Sequence, residues 1–538
     1  MAQLPSFNRS MRVALITSLA LAAGCFHAFW RTNPVALSRP PAGTIGTVTI
    51  STPLKAHLVD GSTVIFRKGA SIGHVAVEGS GERFAFARSA TSRPVSVVPF
   101  DSIVGLETFE GKQLTAQSVV VSTAATALTA AATVGLLKAI FGSCPTVYAD
   151  TGTGPMLEAE GFSYAIAPLL EQRDVDPLHV RPDHDGVVHL ELRNEALETH
   201  YINSIELIAV SHPAGTRVVP DQNDHLVVVD GLRALDAAHD RSGRDVLPVL
   251  SSSDGQLFAS AASTVTAAHD GDLEDWIDVE ARDLPPGDSV AVVLRLRNSL
   301  LNTVLLYDGM LGGRDAPGWL DANLQRISTA IDLAEWYTRT MGMRAFVDGA
   351  PRAASGEPWH ARLGDVGPLA FRDVAIVLPR PTRDARSIRV RLRFVADNWR
   401  IDYAAVAASM SRPSSTTIPL SRVIVRTPDS TGVASNDTAA VVALREADGR
   451  YLETMPGQRM TLEFASSDAS AAHGTATTYL IAWQGWYREW IRGRWLAEPA
   501  RTVAWTPGDG AMLAALRRWQ SRQSEMEHAF YSTRVPVR

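Results

Sequence analysis

Ile388-Arg-Val-Arg-Leu-Arg393 alternates apolar and charged side chains without a break. A period of two sends every apolar side chain to one face of an extended backbone, so this run can bury half of itself as a strand but not as a helix. Val187 to Leu192, Tyr201 to Val210 and Val292 to Arg297 repeat the theme, and Trp483, Gly485 and Tyr487 share one strand face. Asp60-Gly61, Pro285-Pro286-Gly287 and a Ser/Thr-rich stretch around Pro413 punctuate the runs. The chain is therefore expected to be mainly β. Its 538 residues suffice for about three or four domains. The net charge, 51 − 57 = −6, and a pI near 6.2 give no general attraction for nucleic acid, so no nucleic-acid partner is expected. Two cysteines, Cys25 and Cys144, exclude a disulfide framework and a cysteine-rich zinc site.

Strand signals start at Thr47 and crowd residues 47–111, which predicts a small β-barrel similar to SH3-like or Sm-like domains. Between Lys112 and Lys138 lie 25 uncharged residues, long enough to cross a bilayer. Their few strongly apolar members contribute only about −2 to −5 kcal/mol toward insertion, and five Thr and two Ser oppose it. A hydrophobic Ala-rich helix is expected over 112–141, and both spanning and packing on the protein fit it. Beyond it the pattern predicts a β-sandwich-like domain over 142–310, a helical connection over 311–345, a second β-domain over 346–415, and a β-rich Trp/Arg-rich region over 416–538 that ends in a helix. Leu320, Leu324, Ile327, Ile331 and Ala334 give the connection an amphipathic stripe. Thr506-Pro507 followed by Met512, Leu516, Trp519 and Gln523 marks the last helix. The strand pairs Leu192 to Ile202 and Leu392 to Ile401 superpose within one position, which fits either duplicated domains or common hairpin grammar.

Arg9 and Arg12 precede an apolar run from Val13 to Ala23, followed by Gly24 and Cys25. A basic start, a short apolar run and a small-residue exit predict a signal peptide over 1–25, too short to span a bilayer. Leu21-Ala22-Ala23-Gly24-Cys25 resembles the lipobox of bacterial lipoproteins, with Ala22 where Leu is usual. That likeness implies Cys25 as the lipidated first residue of the mature chain; an ordinary cleaved signal, or a signal anchor with an incidental cysteine, is the alternative. Residues 26–46, with Pro34, Pro40, Pro41 and Gly43, are expected to be a tether. Cys144, unpaired in an oxidising compartment, is expected to be buried.

No Gly-x-x-x-x-Gly-Lys-Ser/Thr loop, His-Glu-x-x-His or Gly-x-Ser-x-Gly occurs. A triad is recognised by geometry rather than motif, so the question of an enzyme stays open and leans to no. His269, Asp270, Asp272, Glu274, Asp275 and Asp278 crowd one stretch, but their spacing is not that of a calcium loop. His179, Asp183, His184, Asp185 and His189 lack the second short-spaced pair of a metal site. No metal or other cofactor is expected. Six of the twelve tryptophans fall within residues 483–522, where seven Arg face three acids. Trp486, Trp490 and Trp495 with Arg488 and Arg492 form the candidate ligand surface, suited to stacking sugar rings and pairing with carboxylates or phosphates. Burial in a sandwich core explains the same aromatic set and is the favoured reading.

A lipobox, a small barrel, an uncharged hydrophobic segment and then Ser143-Cys144-Pro145-Thr146-Val147-Tyr148 resemble a family of uncharacterised bacterial envelope lipoproteins with a Ser-Cys-Pro-x-Val-Tyr motif. Further likenesses are Leu192-Arg193-Asn194-Glu195, Arg372-Asp373-Val374, Ile401-Asp402-Tyr403 and Gln484 to Arg492. Where that family continues with Asp-Gly, this chain has Ala149-Asp150-Thr151-Gly152. The resemblance implies a membrane-anchored lipoprotein facing the periplasm or cell surface, and it brings no catalytic residue. The expected function is a non-catalytic scaffold or binding module, partnered by the membrane through its anchor and by envelope glycan or another envelope protein. The alternative is an envelope glycan-binding protein or a glycan-acting hydrolase, the latter needing two carboxylates about 5 to 9.5 Å apart.

Overall fold

The computed structural model describes residues 30–35, 48–73, 75–84, 92–111, 145–150, 152, 154–268, 272–306, 340–350, 359–425, 437–465, 474–489 and 509–532. Outside them lie the signal with Cys25, most of the tether, residues 112–141, Cys144, the stripe from Leu320 to Ala334, and Trp490, Arg492, Trp495 and Trp505. The described chain is mainly β, as the alternation predicts.

The first unit comprises β1 (Trp30–Val35), β2 (Val48–Ile50), β3 (Leu54–Leu58), β4 (Thr63–Phe66), β5 (Ala70–Ile72), β6 (Ala76–Phe84), β7 (Ser92–Pro99) and β8 (Ile103–Gly111). They form a half-barrel in the order β1-β8-β3-β4-β6-β5-β2, with β7 on β6. Leu54, Ala56, Val64, Phe66, Val77 and Leu106 fill it. Gly69 holds φ +82° after β4, and a Cβ there would stand 1.9 Å from the Ile50 carbonyl oxygen, so glycine is required. β1 departs from the expected tether, for Trp30 to Val35 pair residue by residue with Gly111 to Leu106. The free edge of β8 accepts them, and an edge strand tolerates Pro34 because its outer side needs no donor.

The chain continues through β9 (Thr146–Asp150), β10 (Pro155–Glu160), β11 (Gln172–Leu178), β12 (Val187–Arg193) and β13 (Glu198–Pro213). It then makes a long excursion: β14 (Arg217–Pro220), β15 (Leu226–Asp230), β16 (Arg233–Ala234), β17 (Ala237–Asp240), β18 (Glu274–Ala281), β19 (Ser289–Asn298), β20 (Met343–Val347), β21 (His360–Leu363), β22 (Arg372–Pro379), β23 (Ile388–Val395), β24 (Trp399–Ala407) and β25 (Ser409–Ser411). It returns in β26 (Thr416–Ile418), β27 (Leu420–Val425), β28 (Leu452–Thr454), β29 (Arg459–Ala465) and β30 (Thr475–Glu489).

Sheets β10-β9-β12-β29-β27 and β11-β30-β13-β26 enclose one core, with Val147, Leu190, Ile205, Leu462 and Ile481 among its members. Sheets β16-β24-β19-β22 and β17-β18-β23-β20-β21 enclose a second, around Ile277, Val292, Leu392 and Ile401. The small sheet β14-β15-β25 lies between these sandwiches. Val218 and Val228 pack against Val175, Ile208 and Leu480 on one side, while Val219, Val227 and Val229 pack against Ala291, Val293 and Ala375 on the other. Successive valines point to opposite faces, so strands of three to five residues suffice to glue two sandwiches together.

The sandwiches are nested rather than consecutive. β13 pairs with β30 from Glu198↔Glu489 to Pro213↔Thr475, and β19 pairs with β24. Strand partners thus cross the boundaries expected at 310, 346 and 415, because alternation identifies a strand without naming its partner. The two similar phrases are not hairpins: β12 to β13 and β23 to β24 each cross from one sheet to the facing one. Buried Asn194 and Asn398 sit at these arches, Asn194 Nδ2 donating to the Glu198 and Thr454 carbonyls (2.9 and 3.0 Å) and Asn398 Nδ2 to that of Met341 (2.9 Å).

Helix α1 (Thr438–Arg445) is capped by Asp437, whose side chain accepts from the Ala440 N–H. Helix α2 (Asp509–Ser532) buries Met512, Leu516 and Trp519 as predicted, and Trp519 Nε1 donates to Asp397 (2.8 Å). Among the described residues no helix is long and apolar enough to cross a membrane.

Candidate functional site

β30 carries the start of the Trp/Arg cluster on its two faces. Trp483 and Tyr487 are fully buried in the outer sandwich, and Gly485 between them leaves room for the Phe162 ring, 2.9 Å from where its Cβ would be. On the other face Trp486 is half-buried and stacked on Tyr201, with centroids 4.1 Å apart and planes 9° apart, while Tyr451 meets it edge-on. The Tyr451 hydroxyl donates to Glu171 (2.6 Å), whose other oxygen accepts from Asn203 (2.6 Å) and Gln484 (3.0 Å). Burial and that carboxylate push the Tyr451 hydroxyl pKa up. One face of Trp486 is therefore covered by protein.

Arg488 is close enough for its charge to act on Glu107 of the half-barrel. There Lys55 Nζ donates to Glu453 (2.7 Å) and stands 3.6 Å from Glu107, and His57 Nε2 lies 3.4 Å from the same carboxylate. Burial alone would raise the Glu107 pKa, but Lys55 and His57 more than offset it and hold it below the usual carboxylate range. Burial, aided by Lys55, lowers that of His57. Trp486 and Arg488 thus border the seam between half-barrel and sandwich. Trp490, Arg492 and Trp495 lie outside the described residues.

The acidic stretch is spent on arginines. Asp272 pairs with Arg241, Glu274 with Arg344 and Arg393, and Asp278 with Arg391 across the β18–β23 register. The histidine cluster separates only in part: exposed Asp183, His184 and Asp185 stay together, Asp183 accepting two turn N–H groups and meeting His189 at 2.9 Å, whereas His179 belongs elsewhere.

His179 lines a groove of about 620 Å³ where three sheet edges, β11, β14 and β22, converge. Leu178, Val218 and Val219 give it an apolar floor. Arg295 on β19 stands opposite both Asp373 on β22 and Tyr403 on β24. The register slips just beyond Arg295, leaving Asp402 as the extra residue of a bulge, which re-aims it beneath the guanidinium. Arg295 Nη1 donates to Asp373 (3.1 Å), and its Nε lies 3.4 Å from Asp402. Asp402 also accepts from Ser253 Oγ (2.5 Å) and the Gly255 N–H (2.9 Å). His179 has Nδ1 3.2 Å from buried Glu158, and that hydrogen bond raises its pKa. Buried His212 ties down two groove hydroxyls, those of Thr216 (2.9 Å) and Thr478 (2.8 Å). Arg217, at the start of β14, places its guanidinium 5.8 Å from the Tyr403 ring centroid, and no carboxylate pairs with it among the described residues. Sequence reading missed this site. Arg372-Asp373 and Asp402-Tyr403 were visible only as family-like segments, and nothing local brings them together.

Behind the groove, buried Arg372 on β22 holds three carboxylates: Asp174 (3.1 Å), Asp176 (3.4 Å) and Asp224 (2.7 Å). Trp483 Nε1 donates to Asp176 (3.0 Å). Burial, with Asp174 beside it, pushes the Asp176 carboxyl up to about 8 against the pull of Arg372. The cluster ties the outer sandwich, the linking sheet and the inner sandwich together beneath the groove.

No protein-family model and no curated protein matches the chain. Among solved structures it is similar to that of the infectious bursal disease virus Gx strain, with 9% identity over 93% of this chain and 87% of that one, at a TM-score of 0.12. It is also similar to a GH31 alpha-xylosidase from Xanthomonas citri, with 8% identity over 84% of this chain and 38% of that one, at a TM-score of 0.14. At such scores neither likeness carries an argument.

Proposed function

We propose that this chain is a lipid-anchored protein of the bacterial cell envelope, held at a membrane through Cys25, that acts as a non-catalytic binding scaffold for an envelope glycan or another envelope protein. The anchor rests on the basic start, the short apolar run and the lipobox-like Leu21 to Cys25. The binding role rests on one observation above all, the groove at the junction of the sandwiches. Its volume suits a small ligand or a protruding chain segment. Its carboxylates lean on Arg295, and Asp402 is further occupied by Ser253 and Gly255. Groups so fixed orient a partner better than they exchange protons. Most of the lining sits on strands, with His179, Thr216 and Ser253 on the connections, which suits a site that keeps its shape.

Radiolabelled fatty acid is expected to enter the wild type and not Cys25→Ala, and inhibition of the signal peptidase is expected to leave the leader attached in the membrane fraction. In-cell cross-linking from a photoreactive residue at Ser253 is expected to capture a defined envelope component. Equal labelling of both proteins would overturn the anchor. A folded protein carrying that residue in an otherwise unchanged groove and cross-linking nothing in intact cells would overturn the binding role.

A further inference from the structure

We propose that the groove binds a carboxylate-bearing saccharide, with Arg217 taking the carboxylate and the Arg295–Asp373 pair taking adjacent hydroxyls. This rests on the reading of the groove as the binding site and names its ligand. Three features lead to it. First, Arg217 is an exposed guanidinium that no described carboxylate pairs with, held near an aromatic ring at the groove wall. A free planar fork over such a ring is suited to a carboxylate.

Second, Arg295 and Asp373 lie side by side, 3.1 Å apart, one donating and the other accepting. Vicinal hydroxyls each donate one hydrogen bond and accept others, so a mixed pair uses both capacities of a diol where two like groups would not. Arg295 keeps donors to spare after serving Asp373 and Asp402, since a guanidinium has five. The fixed hydroxyls of Thr216 and Thr478 extend the same polar wall. Third, the edges facing the groove are poor templates for a peptide strand. Pro177 on β11 and Pro220 on β14 have no N–H to offer, and Asp221 after β14 already bridges to Ala375 on β22. Side chains rather than backbone therefore do the recognising, and the charge they leave unmatched is positive.

Isothermal titration of the full chain with a glucuronate-containing tetrasaccharide, and with its carboxyl-reduced neutral form, tests this. The acidic form is expected to bind at least about tenfold more tightly than the reduced one, the order of one charge-assisted hydrogen bond, and to weaken as salt is raised. Arg217→Ala, at an exposed site, is expected to remove that preference, Arg217→Lys to restore part of it, and Asp373→Asn to weaken both forms together. Circular dichroism confirms that each variant is folded. Equal affinity for the two forms, or an acidic form indifferent to Arg217→Ala, would overturn the proposal. Binding of neither saccharide alongside an Arg217-dependent cross-link to an envelope protein would overturn the saccharide while leaving the scaffold reading intact. Loss of both would sink the two together.

Discussion

Replacing Arg372 with methionine tests the physical logic of the junction. Arg372 is 5% exposed and contacts Asp174, Asp176 and Asp224 at 2.7 to 3.4 Å. At an effective dielectric of about 20, each contact near 3 Å is worth about 5 kcal/mol of Coulomb attraction before desolvation is subtracted. The cluster limits that desolvation by keeping Asp176 protonated near neutrality, so two carboxylates, not three, oppose one guanidinium. Methionine fills similar space but takes the guanidinium away from buried Asp174 and half-buried Asp224. Breaking a buried pair this way costs about 3 to 5 kcal/mol. Because the cluster joins three sheets, the loss is expected in the unfolding of both sandwiches. Urea denaturation followed by tryptophan fluorescence is a direct assay, since Trp483 donates to Asp176. At pH 7 the midpoint is expected to fall by an amount matching that loss. A variant within about 1 kcal/mol of wild type at pH 7, below the usual range for breaking a buried pair, would refute this account of the junction.

Other outcomes follow from the same geometry. In the wild type, Asp176 titrates near 8 when folded and near 3.8 when unfolded, so the folded state holds the extra proton between those values. Its contribution is full below pH 4 and is lost as pH rises toward 8, by at most about 6 kcal/mol at about 1.36 per unit. Asp176→Asn is expected to flatten that slope in pH-dependent urea titrations, and an unchanged slope would assign it to another group. Gly161→Ala is expected to cost at least about 1 to 3 kcal/mol, because its Cβ would fall 2.2 Å from the buried Trp483 ring, and thermal melts would show it. Lys55→Ala takes an ammonium away from buried Glu107 and half-buried Glu453 at the seam. It is expected to speed proteolysis of the half-barrel while leaving the urea midpoint of the sandwiches unchanged.

What the sequence makes legible is local. Ile388 to Arg393 announces a strand with its arginines outward, and β23 lays them against Asp278 and Glu280 as expected of such a face. The Trp483, Gly485, Tyr487 face and the Met512, Leu516, Trp519 stripe are legible for the same reason, since each needs only its own period. Partnership is not local. The nesting depends on β13 finding β30 across more than 250 residues, and alternation says nothing about which of many similar strands will be the partner. The groove is hidden twice over. Arg217, Arg295, Asp373 and Tyr403 are ordinary residues in four separate strands, and a one-residue bulge decides that Asp402 lies beneath Arg295. Trp486 shows the converse, for a conspicuous aromatic proves to be stacked on Tyr201 at a seam that no spacing could reveal.

The proposal that this stack of sheets works outside the cytosol, tethered to a membrane, is met most directly by the mass of the amino-terminal peptide of protein purified from the membrane fraction of its own cells. The account predicts a mature chain that begins at Cys25 and carries acyl groups on it. A chain with its leader intact and Cys25 a bare thiol would contradict it.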